Sequence, residues 1–113
     1  MANIRNKVIL IGRLGADPKI VTLDSEQSLA NFRLATNDVY IKDDGEKIQN
    51  TQWHSIVVWG KLVDITSRFL KKGTEVAVEG KIIYKNYDDK EGITRYVSEI
   101  VVHDIQLLGS ATK

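Results

Sequence analysis

The chain has 113 residues, of which 42% are hydrophobic and 27% charged, a composition typical of one globular domain and not of a disordered or membrane-spanning protein. Its 16 basic and 15 acidic side chains give a net charge of +1, so the large positive excess of many polyanion-binding proteins is absent. There is no cysteine, which excludes disulfides, thiol catalysis and thiolate metal sites. The longest aliphatic run, Val8–Ile11, is too short for a transmembrane helix or a signal-peptide core, so we expect an intracellular soluble protein.

Segments rich in β-branched and aromatic residues predict five strands, with turn residues between them. In chain order these segments are residues 7–13, 28–40, 51–59, 74–87 and 94–108. Gly12 and Gly15 predict a bulge and a turn at the end of the first strand, where Pro18 follows. Two further gaps are predicted hairpin tips, a long one around residues 43–45 and a short one at residues 88–92.

The first predicted strand is apolar on both faces. Val8 and Leu10 point to one side, and Ile9 and Ile11 point to the other. A single barrel buries only one of these pairs, so a second surface must cover the other. We expect that surface to be another subunit, and the alternative is the helix or a loop of the same chain.

Residues 61–73, with the sequence KLVDITSRFLKKG, follow a helical period instead. Leu62, Ile65 and Phe69 fall at i, i+3 and i+7, and the adjacent positions Val63, Thr66 and Leu70 complete an apolar stripe. Gly73 is a natural residue to follow the helix end. Five strands with one helix between the third and fourth is the layout of the Greek-key barrel called the OB-fold. We therefore predict an all-β OB-fold, in which Gly80 provides a sharp bend at a barrel corner.

Both tryptophans of the chain lie in the third predicted strand. Trp53 and Trp59 are six positions apart, which places both indoles on one face of a strand, ~20 Å from each other. His54, Ile56 and Val58 share the other face, which is the better barrel core because two of the three are aliphatic. Outward-facing indoles are unfavourable unless they contact a ligand, another subunit or a covering loop.

Aromatic side chains alternate with basic ones along the predicted strands and hairpins. The aromatic residues are Tyr40, Trp53, Trp59 and Tyr87, and the basic residues near them are Lys42, Lys61, Lys85 and Arg95. Rings that stack on bases, next to cations that follow phosphates, form a platform for single-stranded nucleic acid. A duplex would not suit such a site, because its bases are already stacked on one another.

No pattern in the chain predicts catalysis, a metal site or a cofactor. His54 and His103 do not have the spacing of metal ligands. The acidic pairs at residues 43–44 and 88–89 lie at predicted loop tips, whereas a hydrolase needs carboxylates that converge in a pocket. We therefore expect a binding protein and not an enzyme.

The chain resembles the bacterial single-stranded DNA-binding proteins from residue 6 to residue 109. The matching stretches are NKVILIGRLGADP (6–18), ANFRLATN (30–37), TQWHSIVVWGKL (51–62), FLKKG (69–73), VEGKI (78–82), RY (95–96) and VV (101–102). The resemblance implies an OB barrel that pairs through its first strand, usually assembles as a homotetramer, and has single-stranded DNA wrapped around it. It also implies a location in the bacterial cytoplasm, at the nucleoid.

The resemblance also assigns roles to individual residues. The base-stacking aromatics of the family fall on Tyr40, Trp53, Trp59 and Tyr87. Its phosphate-contacting residues fall on Lys7, Lys61, Lys72, Lys85 and Arg95. Its subunit interface falls on His54, in addition to the first-strand residues Val8, Ile9, Leu10 and Ile11.

The chain departs from the family pattern at several positions. Tryptophan is frequent in the family at Tyr40 and Tyr87, and a basic residue is frequent at Ser55 and Ile83, so we expect weaker stacking and fewer phosphate contacts. Many members continue into a disordered tail with an acidic end that recruits replication enzymes. We predict a binding domain at residues 1–109 and a short remnant at residues 110–113 without an acidic tail, so that recruitment through such a tail is unsupported.

The expected function is therefore sequence-independent binding and protection of single-stranded DNA in replication, recombination and repair. A primosomal OB-fold relative, which is usually a dimer, is the alternative within the same class. A nuclease on an OB barrel would need convergent acidic residues and a metal. A structural or saccharide-binding OB module would not need basic residues beside the rings.

Overall fold

The computed structural model describes residues 4–23 and 27–109, and within these ranges it contains six strands and one helix. The elements are β1 (Val8–Leu14), β2 (Lys19–Thr22), β3 (Ser28–Ile41), β4 (Lys47–Trp59), α1 (Lys61–Phe69), β5 (Glu75–Asp88) and β6 (Thr94–Gly109). All five predicted strands and the predicted helix are present, and the short β2 is an addition. In the described ranges, α1 is too short and too polar to cross a membrane. The predicted remnant at residues 110–113 lies outside the described residues.

The strands form one sheet in the order β1-β5-β6-β4-β3-β2, which closes into a barrel where β1 pairs with β3. Closure uses two residue pairs, Arg13 with Ala35 and Leu14 with Leu34. All strand pairs are antiparallel except β4 with β6. A closed five-stranded barrel with β2 added at one edge and a helix after β4 confirms the predicted OB-fold.

Two glycines allow the strands of the barrel to approach closely. A Cβ atom added to Gly12 would overlap the Ala35 carbonyl, and one added to Gly80 would overlap the Val101 carbonyl. The predicted bend at Gly80 is confirmed, because the register between β5 and β6 shifts next to it. The predicted bulge at Gly12 is wrong, since this residue lies in β1 where the barrel closes.

The two hairpin turns have equal lengths, residues 42–46 and 89–93. The expectation of a long first tip is wrong, because β4 already begins at Lys47 and pairs with β3 without interruption from Leu29 opposite Trp59 to Ile41 opposite Lys47. The polar residues of this segment hide the strand pattern. They are tolerated because this end of the hairpin is exposed on both faces.

The core fills the barrel interior and continues under the helix. Leu34, Ile56, Val58, Val76 and Val78 are the largest apolar side chains that are fully buried. Their alternation along the strands gives each strand one inward and one outward face.

The predicted helix buries only part of its predicted stripe, and it has a different end. Val63 and Thr66 are buried, Leu62 packs against the core, and Leu70 is buried just beyond the helix. Ile65 and Phe69 of the same stripe are exposed. Gly73 does not cap the helix: α1 ends at Phe69, and the Gly73 N–H donates to the Leu14 carbonyl instead.

Candidate nucleic-acid interface

Both indoles lie on the outer face of β4. Trp53 is 50% exposed and Trp59 is 42% exposed, whereas Ile56 and Val58 of the same strand are fully buried. The prediction that alternation directs the tryptophans outward is confirmed. Half-exposed indoles leave ring surface available for stacking.

An open groove of about 430 Å³ runs beside Trp59 across the outer faces of β3, β4, β5 and β6. Its lining includes Arg33, Val57, Trp59, Ile83, Lys85 and Glu99. Val57, between the two indoles along β4, is buried, and Ile83 widens the apolar floor. The groove thus combines an apolar floor with an aromatic wall and charged side chains, which suits bases lying flat with phosphates beside them.

Trp53 is held in place by the Gly15 backbone and by Arg33, which also lines the groove. A Cβ atom added to Gly15 would overlap the indole, so the ring packs directly on the Gly15 backbone. The Arg33 guanidinium lies 5.4 Å from the centre of the ring, within the range of a cation–π contact. The indole is therefore oriented before any ligand arrives.

Arg33 is absent from the site residues that the sequence predicts. It lies in β3 directly opposite Ser55, the position at which the resemblance predicts a lost positive charge. The neighbouring strand thus brings a guanidinium to the same part of the sheet, and the expectation of fewer phosphate contacts stays a prediction. The signal in the sequence is alternation: Phe32 and Leu34 are core residues, so Arg33 must point outward.

Lys85, Arg95 and Tyr87 lie on the same outer face as the groove, on the β5–β6 hairpin. Tyr87 is directly opposite Arg95 in the register and is half exposed. Both predicted cations have a carboxylate partner: the Lys85 Nζ atom lies 3.1 Å from Glu99 Oε1, and the Arg95 Nε atom lies 2.9 Å from Asp89 Oδ2. A phosphate must compete with these carboxylates.

Tyr40 does not join the other predicted aromatics. It is opposite Ile48 in an unbroken register, so alternation places it on the face of the β3–β4 hairpin opposite to Trp53 and Trp59. It is half exposed near the turn. The arrangement brings three of the four predicted rings to one face, and the stacking role of Tyr40 stays a prediction for DNA that passes around the hairpin edge.

The remaining predicted phosphate contacts are spread over other surfaces. Lys61 is exposed at the start of α1, two residues after Trp59, which keeps it near the groove. The Lys72 side chain is exposed beyond the other end of α1, and its backbone N–H donates to Asp17.

Lys7 lies 2.7 Å from Glu79, away from the groove floor. The hydrogen bond from Lys7 is the main cause that lowers the pKa of the Glu79 carboxyl, and this lowering exceeds the opposing effect of partial burial. Glu79 also lines a shallow depression next to Ile9. The structure thus separates Lys7 from the tryptophans.

The predicted interface residues divide into two sets. Val8 and Leu10 pack against the barrel core, whereas Ile9 is 62% exposed and Ile11 is 57% exposed. His54 is half-buried, and its Nε2 atom lies 2.9 Å from the hydroxyl of Thr36 on the neighbouring strand. Ile9 and Ile11 therefore remain as the surface that a second subunit can cover.

Two tyrosines without a predicted role are more exposed than any of the four aromatic residues predicted to stack on bases. Tyr84 is 77% exposed and Tyr96 is 79% exposed, and they are diagonal neighbours on the face of the β5–β6 hairpin away from Tyr87. The sequence signal for their position is the alternation of side chains along a strand. Tyr84 is three positions from Tyr87, and Tyr96 is adjacent to Arg95, so both tyrosines point to the other face.

Comparisons with known proteins agree with this geometry. The model of the single-strand binding protein family matches residues 5–108. Single-stranded DNA-binding protein 1 of Chlorobaculum tepidum is 47% identical over 111 residues, which are 97% of this chain and 68% of that protein. The single-stranded DNA-binding protein of Neisseria meningitidis is 39% identical over 104 residues, 92% of this chain and 60% of that protein. This chain thus spans about two thirds of the length of these two relatives.

A solved structure also has the same fold. The Plasmodium falciparum SSB in complex with single-stranded DNA superposes with a TM-score of 0.87 at 30% sequence identity, over 96% of this chain and 99% of that one. These similar proteins are named for binding and not for a reaction, which agrees with the prediction that the chain is not an enzyme. In residues 4–23 and 27–109, no cluster of three or more metal-ligating side chains occurs.

Proposed function

Because the chain belongs to the single-strand binding protein family, we propose that it binds single-stranded DNA by stacking bases on Trp53 and Trp59. The observation that carries the proposal is that both indoles are half exposed on the outer face of β4, where Trp59 lines a groove that also contains Arg33 and Lys85.

Stacking accounts for tight binding without sequence preference. A base stacked on an aromatic side chain contributes about 1–3 kcal/mol, and any base can do so because every base has a flat π-face. Val57 and Ile83 form an apolar floor of the groove. A base that lies against this floor displaces water from apolar surface, which stabilises the bound state. Paired bases of a duplex do not offer these faces, so we expect strong preference for unpaired DNA.

Phosphate contacts accompany the stacking but are limited by neighbouring carboxylates. Lys85 and Arg95 are the predicted phosphate ligands nearest to Tyr87, and each must leave or share its carboxylate partner when DNA binds. Exposed ion pairs of this kind are weak, with a typical strength of about 0–1 kcal/mol, so exchange for a phosphate is not costly. The net charge of +1 is compatible with binding because the lining of the groove includes two cations, Arg33 and Lys85, and a single carboxylate, Glu99.

Self-association is the second part of the proposal. Ile9 and Ile11 expose apolar surface on β1, and residues 8–12 of that strand pair only with β5 among the described strands. A free strand edge next to exposed isoleucines favours pairing with a second copy. We propose a homotetramer around which DNA wraps, with a dimer as the alternative that sedimentation would distinguish.

The proposed cellular role follows from this binding mode. A protein that covers bases and phosphates together prevents unpaired strands from re-annealing and shields them from nucleases. Such protection serves replication, recombination and repair, which places the protein at the bacterial nucleoid in the cytoplasm.

A fluorescence titration tests the DNA-binding proposal. Tryptophan emission is followed while unstructured oligo-dT is added, at a low and at a moderate salt concentration. We expect strong quenching, because the bases stack on the indoles, and weaker binding at the higher salt, because phosphate contacts release counterions. Duplex DNA of the same length is the control and should quench little.

Other results would contradict the proposal. Unchanged emission together with no shift of the oligonucleotide on a gel would eliminate DNA binding. Loss of the oligonucleotide in the presence of a divalent metal would favour the nuclease alternative instead.

A further inference from the structure

We propose that Arg33 binds the DNA backbone directly, at a phosphate next to the base that stacks on Trp53. The inference rests on the proposed single-stranded DNA binding and adds a residue to it. It follows from the position of Arg33, from the absence of a carboxylate partner within the described residues, and from its contact with Trp53.

The position of Arg33 is central in the site. It lines the groove together with Trp59, and its guanidinium also lies 5.4 Å from the centre of the Trp53 ring. Arg33 therefore lies close to both indoles. DNA that stacks on the two rings must pass this side chain.

Arg33 also differs from Lys85 and Arg95 in its ion pairing within the described residues. Among residues 4–23 and 27–109, the ion pairs do not include Arg33, whereas Lys85 is paired with Glu99 and Arg95 with Asp89. The side-chain hydrogen bonds described for the same residues do not involve its guanidinium either. Its five N–H donors are thus available to an incoming anion without displacing a carboxylate.

The contact with Trp53 makes Arg33 a better phosphate ligand than a flexible side chain. A guanidinium held against an aromatic ring loses less conformational freedom when it binds, and its planar fork matches two phosphate oxygens at once. The same ring accepts a base. One nucleotide can therefore contact Trp53 through its base and Arg33 through its phosphate.

The test compares Arg33→Gln and Arg33→Lys with the unaltered protein, using a fluorescein-labelled oligo-dT and anisotropy at a series of salt concentrations. Arg68→Gln is the matched control, since Arg68 is an exposed arginine on α1 that pairs with Asp64 and does not line the groove. We expect Arg33→Gln to bind about tenfold more weakly at low salt, the typical effect of losing one charged hydrogen bond. The slope of log affinity against log salt should become shallower by about 0.7, the value for one phosphate contact on a single strand.

Arg33→Lys should keep the salt slope, because it keeps the charge, and Arg68→Gln should match the unaltered protein in both affinity and slope. Weaker binding by Arg33→Gln with an unchanged slope would overturn the inference, because Arg33 would then only position Trp53. Unchanged affinity and slope would overturn it as well. If the unaltered protein does not bind oligo-dT, the proposed function itself fails, which is a separate result.

Discussion

At the scale of single residues, the two indoles lie on the same face of β4 but have different neighbours. Trp53 contacts the Gly15 backbone through one end of its ring and lies 5.4 Å from the Arg33 guanidinium, whereas Trp59 lines the groove at the end of β4, opposite Leu29. Neither ring contributes to the barrel core, so both can be changed without opening a cavity there. Their removal should therefore affect binding much more than folding.

Replacing both Trp53 and Trp59 by alanine should weaken DNA binding by about 2–6 kcal/mol, because each ring loses one stacked base worth about 1–3 kcal/mol. The chain has two tryptophans, so the double variant has no indole emission and requires a labelled oligonucleotide. Anisotropy at low salt measures the change. Circular dichroism confirms that the barrel is folded.

The conservative variant, with phenylalanine at both positions, is the control for this prediction. It keeps a flat ring at each site and should recover most of the binding. If the double alanine variant folds and binds DNA normally, the rings belong to a protein interface and the stacking proposal fails.

At the scale of secondary-structure elements, the β5–β6 hairpin depends on one carboxylate in its turn. Asp89 Oδ1 accepts hydrogen bonds from the backbone N–H groups of Glu91 and Ile93, and its Oδ2 atom accepts from Arg95. The Ile93 N–H and the Arg95 side chain lower the pKa of Asp89. The turn that presents Tyr87 and Arg95 is thus tied to the ionised form of Asp89.

This arrangement predicts a pH dependence for the hairpin. A carboxyl group whose pKa is lower in the folded state stabilises that state above its unfolded value of about 3.9, and the contribution disappears as the pH falls through the folded value. Asp89→Asn should therefore have a lower Tm than the unaltered protein at pH 7. The difference should shrink as the pH decreases below about 4, which thermal unfolding followed by circular dichroism measures.

Asn keeps an oxygen for the two backbone hydrogen bonds, whereas its NH2 group replaces the Oδ2 atom that accepts from Arg95. Asp89→Asn therefore removes the charge and the Arg95 contact and leaves the turn hydrogen bonds. Asp43→Asn, in the turn of the other hairpin, is the matched control and should follow the unaltered protein. A Tm difference for Asp89→Asn that stays constant from pH 7 to pH 3 would contradict the assigned role of the carboxylate.

At the scale of the whole molecule, β1 combines barrel closure with an exposed apolar surface. Its inward residues Val8 and Leu10 contribute to the core, and its closing pairs with β3 are only at Arg13 and Leu14. The outward residues Ile9 and Ile11 are thus free to contact another subunit. The proposed wrapping of DNA needs such an assembly, because it extends the binding surface beyond the groove beside Trp59 of one barrel.

Replacing Ile9 and Ile11 by threonine should shift the protein toward monomers. Threonine keeps the β-branched shape that strands favour, whereas each isoleucine removed from an interface costs about 1.5–3 kcal/mol. We expect the dissociation constant of the assembly to rise about a hundredfold or more. Sedimentation over a range of protein concentrations measures it.

Ile20→Thr is the matched control, since Ile20 is an exposed isoleucine on β2, away from β1. It should leave the sedimentation unchanged. If the β1 variant sediments like the unaltered protein at every concentration, the exposed face of β1 is not the interface.

The amino-acid sequence alone determined the strands, the helix, the OB class and the outward direction of both tryptophans. These features depend on alternation and on turn residues, which act between neighbours in the chain. The resemblance of the motifs then predicted the family. The start of β4 was predicted less well, because three of the four residues 47–50 are polar and hide a strand whose start is fixed by the turn at 42–46.

Only the tertiary structure decided which side chains meet. Arg33 lies opposite Ser55, and Tyr40 lies on the face away from the indoles, because the β3–β4 register is fixed once the turn is fixed. The carboxylate partners of Lys85 and Arg95, and the face of α1 that the barrel contacts, likewise depend on how segments pack across the fold. Register and packing join residues that are distant in the chain, so no local pattern could reveal them.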